Sequence, residues 1–163
     1  YSSDNSVYIC MEVPGLRRKS GEIYTLLSEL YSNALEHGVL GLCSDWKATP
    51  DGFGHYYAER ERRLADVAGH FLRFTLTHTM TDRGGQLVIV CEDSGSGFDF
   101  SSVRPEAEDE RRYSGRGLLL LQKIGRSLNY REHGTKAEIV YDWYFSEVTG
   151  REGSITQQPG GWS

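Results

Sequence analysis

Glu29, Asn33 and Glu36 occur within one stretch, ELYSNALEHG over residues 29–38. On a helix, at roughly 100° per residue, they and Glu22 fall within about 60° of arc, beside an apolar stripe of Ile23, Leu26 and Leu30. An acidic helix face is ordinarily just solvated. Asn33 fits that reading poorly, because asparagine is a middling helix former whose amide gains little at an apolar edge unless it has a partner. The chemical alternative has two parts. Asn33 offers a neutral oxygen to Mg²⁺, which takes few protein ligands beside water and phosphate. Glu29 accepts a proton from a hydroxyl or water nucleophile.

Two glycine-rich segments extend this set. In CEDSGSGF, residues 91–98, Asp93 can accept a hydrogen bond from an exocyclic amine, and Gly95 and Gly97 let backbone approach a flat ligand. In YSGRGL, residues 113–118, Gly115 and Gly117 flank Arg116 at the opening of a helix, where N–H groups and the helix dipole favour phosphate. Each segment alone reads equally well as an ordinary turn or a glycine-hinged cap. His37 reads as a structural histidine, residues 60–63 as a solvated helix face and residues 118–121 as core.

Periodicity supplies the elements that must position these residues. Residues 6–13 (SVYICMEV) read as a strand closed at Pro14-Gly15, and residues 20–37 as a helix stopped by Gly38. Residues 41–54 are loop-like with a turn at Pro50-Asp51-Gly52, and a charged helix follows over residues 56–71. Residues 73–79 and 86–92 form a hairpin turning at Gly84-Gly85, the second strand apolar enough to be covered on both faces. A long acidic loop over residues 98–114 leads into a short helix at 116–126, and a second hairpin spans 127–132 and 135–144 around His133-Gly134. The order predicts an α/β sandwich with a mixed, largely antiparallel sheet and helices on one face. The domain covers residues 1–148, with 41–71 as an insertion and 149–163 as a flexible, Gly-, Gln- and Ser-rich tail.

Composition narrows the function. The chain has 163 residues and a net charge of −5, which disfavours general nucleic-acid binding. Its three cysteines, Cys10, Cys43 and Cys91, form no CxxC pair and suggest neither a disulfide framework nor zinc, in keeping with a reducing cytoplasm. No apolar run is long enough to span a bilayer, and no P-loop, HRD, HExxH or GxSxG motif is present. A first residue other than methionine suggests a piece of a longer chain.

Taken in order, ELYSNALEHG, EDSGSGF and SGRGL, with His133-Gly134-Thr135 behind them, resemble the boxes of the Bergerat-fold (GHKL) ATPases. That superfamily includes gyrase, Hsp90, histidine kinases and MutL, and the resemblance covers roughly residues 7–144. SGRGLLLL, without an upstream phosphoacceptor helix, is most similar to the bacterial anti-sigma-factor serine kinases. The resemblance implies ATP and Mg²⁺ as cofactors and a serine on a STAS-type anti-anti-sigma protein as substrate. A sigma factor is an implied further partner, and a homodimer is possible within this family. By position, Glu29 is implied as catalytic base and Asn33 as Mg²⁺ ligand and cofactor contact. Asp93 is implied as adenine acceptor, Gly95 and Gly97 as the adenine-side turn, and Thr135 as support for that pocket. Gly115, Arg116, Gly117 and Leu118 make the phosphate side, and residues 98–114 the ATP lid.

Two departures qualify the likeness. Residues 41–71 are longer than compact stand-alone members need and are similar to versions fused behind receiver and serine phosphatase domains. Glu36 stands where many histidine kinases carry a basic residue, which lowers that alternative, and the acidic lid over residues 98–114 leaves phosphate neutralisation to Arg104, Arg111, Arg112 or Arg116. Two rival readings remain: a partner-binding module with a structural nucleotide, and the ATP-binding half of a histidine kinase.

Overall fold

The computed structural model describes residues 12–13, 15–43, 46–47, 49–98 and 116–145, with Arg116 described in its backbone only. Apart from Glu12 and Val13, the expected first strand lies outside the described residues. So do Gly115, the expected lid beyond Phe98 and the expected tail. Glu12 and Val13 belong to a turn that leads into a short 3-10 segment, Leu16–Lys19.

Helix α1, Ser20–Asn33, forms on the apolar spacing of Ile23, Leu26, Leu27 and Leu30, all of which are fully buried. It does not run on as α-helix to His37. The backbone widens into a π turn, Ala34–Val39, closed by the Leu40 N–H donating to the Leu35 carbonyl at 2.8 Å. π turns inside helices concentrate at functional sites, and this one carries Glu36, His37 and Gly38.

Helix α2 spans Pro50–Leu64, displaced from the expected 56–71. Thr49 caps it, its hydroxyl accepting from the Gly52 N–H at 3.1 Å, and Pro50 occupies the first helical position. The Pro-Asp-Gly sequence expected to turn is therefore the helix's first turn. The chain leaves α2 at Ala65, and Gly69, at φ 88°, bends it toward the sheet.

Strands β1 (Leu72–Thr81) and β2 (Gly84–Asp93) form a hairpin. Its turn is Asp82-Arg83, because Gly84 and Gly85 already pair in register with Thr81 and Met80. Both glycines are needed where they stand: a Cβ at Gly84 would run into the Trp143 backbone, and one at Gly85 into the Trp143 ring. Helix α3 (Arg116–Ile124) follows, then β3 (Ser127–Arg131) and β4 (Lys136–Tyr144), joined by a turn at Glu132–Gly134. The described sheet has order β1-β2-β4-β3, and every described pairing is antiparallel.

Alternation decides which face the helices cover. Leu87, Ile89 and Cys91 of β2 and Ala137, Ile139, Tyr141 and Trp143 of β4 point into one core with α1 and Leu121 of α3. On the other face Thr75, Thr77 and Thr79 are exposed beside half-buried Val88, Val90 and Val140. The run 118–121 is not uniformly core, since only Leu121 is fully buried and Leu119 is exposed. Among the described residues, no helix is long and apolar enough to cross a membrane.

A second, smaller core of Leu35, Leu40, Leu42 and Tyr56 seats α2 beside the π turn. Residues 60–63 are not simply solvated. Arg60 Nε reaches Glu36 Oε1 at 3.1 Å, and Arg63 Nη1 donates to the carbonyls of Leu40 and Gly41 at 2.6 and 3.0 Å.

Glu36 also accepts from the hydroxyl of fully buried Tyr56 at 2.5 Å and from Lys47 Nζ at 3.2 Å. Burial pushes the Glu36 carboxyl up, but Tyr56, Lys47 and Arg60 outweigh it and hold the group below the ordinary carboxylate range. A depressed folded value means that the stabilisation is present above the unfolded value and fades as pH falls through the folded one. Tyr56→Phe is expected to cost about 1.5–3 kcal/mol at pH 7, the worth of a hydrogen bond to a charged group. Urea melts should show that deficit shrinking below about pH 4, and a deficit independent of pH would contradict the ionic origin of the contact.

Candidate functional site

The three boxes converge at one end of the sheet. Asp93, the last residue of β2, is the one charged residue among those described that is buried, at 8% exposure. Its backbone N–H donates to the Thr135 carbonyl at 2.9 Å, and its Oδ1 accepts from the Gly95 N–H at 2.9 Å. Burial pushes its carboxyl above the ordinary aspartate range, partly offset by the Gly95 N–H and the charge of His70.

The π turn brings Gly38 onto this carboxylate. A Cβ at Gly38 would lie 2.6–2.7 Å from the Asp93 carboxylate atoms, and one at Gly95 would run into the Gly38 carbonyl. The end of the first box and the start of the second are thus in backbone contact. Gly97, at φ 76°, needs glycine on two counts: its left-handed backbone, and the His133 carbonyl and Thr135 methyl beside it. Thr135 donates from Oγ1 to the Glu132 carbonyl at 2.8 Å.

The turn that supports Gly97 is itself strained. Glu132 and His133 have φ of 52° and 58°, unusual for residues with a Cβ, and Gly134 follows at 91°. This backbone aims the His133 carbonyl at the Phe98 N–H, which donates to it at 3.0 Å. Strain of this kind, held by surrounding structure, clusters at ligand-binding turns.

Asp93, Asn33, Leu30, Ala34, Cys91, Phe98, Tyr130, Gly134 and Ala137 line a small cavity of about 10 Å³. It is polar at Asp93 and Asn33 and largely apolar elsewhere. Phe98 and Tyr130 pack edge to face across it at 5.3 Å, leaving room for about one water. Tyr130 is pushed up to about 12 by burial, with the neighbouring Asn33 amide pulling it partly back. Cys91 is likewise pushed up to about 12 by burial, so it is an inert part of the wall.

One helical turn from Asn33, Glu29 faces the opening of α3. A Cβ on Gly117 would overlap the Glu29 carboxylate and would lie 4.0 Å from Asn33 Oδ1. Only glycine at 117 lets the α3 backbone reach these two side chains. Burial, then the neighbouring charge of Glu36, raises Glu29 above its ordinary value, and Lys47 pulls it partly back. A carboxylate made more basic in this way is a better proton acceptor near neutral pH.

The structure therefore brings together Glu29, Asn33 and Gly117, and separately Asp93, Gly95, Gly97 and Thr135, with Asn33 shared through the cavity. Leu118 is half-buried at the start of α3. Gly115 and the Arg116 side chain lie outside the described residues. Glu22 does not join the site, because it meets Lys19 and the Tyr141 hydroxyl instead. His37 is structural, its Nδ1 sharing a hydrogen bond with the Leu42 carbonyl at 2.8 Å. Sequence reasoning missed Phe98, Tyr130 and Lys47. Tyr130 shares the covered face of β3 with Leu128 and so carries a period-two signal, whereas nothing local marks Lys47.

A family model for the histidine kinase-like ATPase domain matches residues 15–141, and the chain belongs to that family. No curated protein and no solved structure gives a match. The antiparallel sheet with helices on one face agrees with that fold, and the matched span contains the three converging boxes.

Proposed function

We propose that this domain is a cytoplasmic, ATP-dependent protein-serine kinase acting on a STAS-type anti-anti-sigma partner in a partner-switching pathway. The observation that carries the kinase reading is the Glu29 carboxylate, of raised basicity, set against Gly117 and within one turn of Asn33. The donor set suits the cofactors. Asn33 offers the kind of oxygen that Mg²⁺ takes beside water and phosphate, and glycines keep the approach clear of side chains. Mg²⁺, when bound, supplies charge neutralisation at the phosphates.

Asp93 accepts from the exocyclic amine of the base, and Gly95 and Gly97 leave its face unobstructed. Asn33 holds the metal side, and the N-terminal turn of α3 meets phosphate with backbone N–H groups. Glu29 takes the proton of the attacking serine hydroxyl. Positioning and charge stabilisation do most of the work in such transfers, and a single carboxylate completes the set.

A second reading rests on the nearly closed cavity: the module grips a sigma or anti-anti-sigma partner and turns over little nucleotide. Thermal melting with Mg·ATP tests the shared premise. At about 100 times the Kd, nucleotide should add roughly 2.7 kcal/mol of stability, some 5–11 °C for a domain of this size. Asp93→Asn should abolish that shift, and the absence of any shift in the native protein would remove nucleotide from the account. Acid-stable phosphoserine on a STAS-type protein then separates the serine kinase from both the binding module and a histidine kinase.

A further inference from the structure

The geometry points to Lys47 as the cation that receives the terminal phosphate of the nucleotide, an inference that rests on the nucleotide-binding reading above. Glu29 faces Gly117 at the opening of α3, the phosphate end in that reading, the negative charge of Glu36 acts on it, and a bound Mg·ATP adds further negative charge. The cation whose charge acts on Glu29 is Lys47. It comes from the segment between the π turn and α2, outside all three boxes.

Three contacts fix it there. Its Nζ lies 3.2 Å from Glu36 Oε2 and 4.0 Å above the Tyr56 ring, and its side chain is 20% exposed. Glu36 does not depend on Lys47 for neutralisation, since Arg60 Nε sits 3.1 Å from Oε1 and the Tyr56 hydroxyl donates to Oε2. Arg60 and Lys47 thus place two positive charges on one carboxylate, and the ammonium keeps donors beyond the one facing Glu36. A point charge on a flexible stem, partly withdrawn from water, held on Glu36 and acting through space on Glu29, suits phosphate binding. Glu36 acts here as a mount for the cation, and the α2 segment brings in the positive charge that the first box lacks.

Nucleotide titrations of the full chain test this. Lys47→Met should weaken Mg·ATP by about 10- to 100-fold, the worth of one charged hydrogen bond, while Mg·ADP changes by less than about 3-fold. Lys47→Arg should keep most of the preference for ATP. Amine-reactive footprinting of the native protein gives a reading independent of any variant: Mg·ATP should protect Lys47 more than Mg·ADP does, with Lys136 as reference. Equal losses for both nucleotides, or equal protection, would make Lys47 a strut and overturn the inference while leaving nucleotide binding intact. Failure of the native protein to bind Mg·ATP would overturn both.

Discussion

Glu29→Ala is expected to leave Mg·ATP affinity within about 3-fold of the native value and to slow phosphoryl transfer to the partner by roughly 10²- to 10⁴-fold, the range for loss of a general base. The two readouts separate because the proposed mechanism sets Glu29 against the attacking hydroxyl and gives the nucleotide to Asp93 and Asn33. The pH profile is a second signature. Burial and Glu36 raise Glu29, so the acid limb of the transfer rate should sit above the ordinary glutamate range. Single-turnover assays across pH would check both, and an unchanged transfer rate removes Glu29 from the mechanism.

Trp143→Ala should have the largest effect on stability, about 3–5 kcal/mol, or roughly 6–20 °C in Tm for a chain of this size. The indole is 1% exposed. It stacks on His78 at 5.9 Å, donates from Nε1 to His78 Nε2 at 3.2 Å, and meets Phe145 edge to face at 5.2 Å. Gly15 and Gly85 lie against the ring without side chains, so neither can refill the space. Trp143 is at the far end of β4 from Thr135, so nucleotide affinity measured well below the melt should hold. A large loss of affinity would mean that the hairpin end and the site move as one unit.

Glu36 and the pair Glu29 and Asp93 oppose each other in acid. Glu36 is depressed and stabilises the fold at neutral pH, whereas Glu29 and Asp93 are raised. Their charged forms cost stability at neutral pH, and that cost is relieved as pH falls through their folded values. The site thus keeps two strained carboxylates, and the π turn with α2 holds them in place.

Much of this was legible in the residues. The stripe of Ile23, Leu26 and Leu30 fixed α1, the alternation from Ala137 to Trp143 fixed the buried face of β4, and three ordered boxes pointed to the family. These signals are local, since period and spacing depend only on neighbours in the chain. Other features had no local signal. Gly38 read as a helix stop, yet it is glycine because Asp93 and Gly95, more than fifty residues on, occupy its side-chain space. Gly84-Gly85 read as a turn because nothing nearby revealed Trp143. Glu36 read as part of an acidic face, and only the packing of α2 made it the mount for Lys47 and Arg60. Sequence determined which segments fold and what chemistry they carry. The tertiary structure decided which carboxylates are raised and which is held down, because burial and through-space charge depend on contacts between distant parts of the chain.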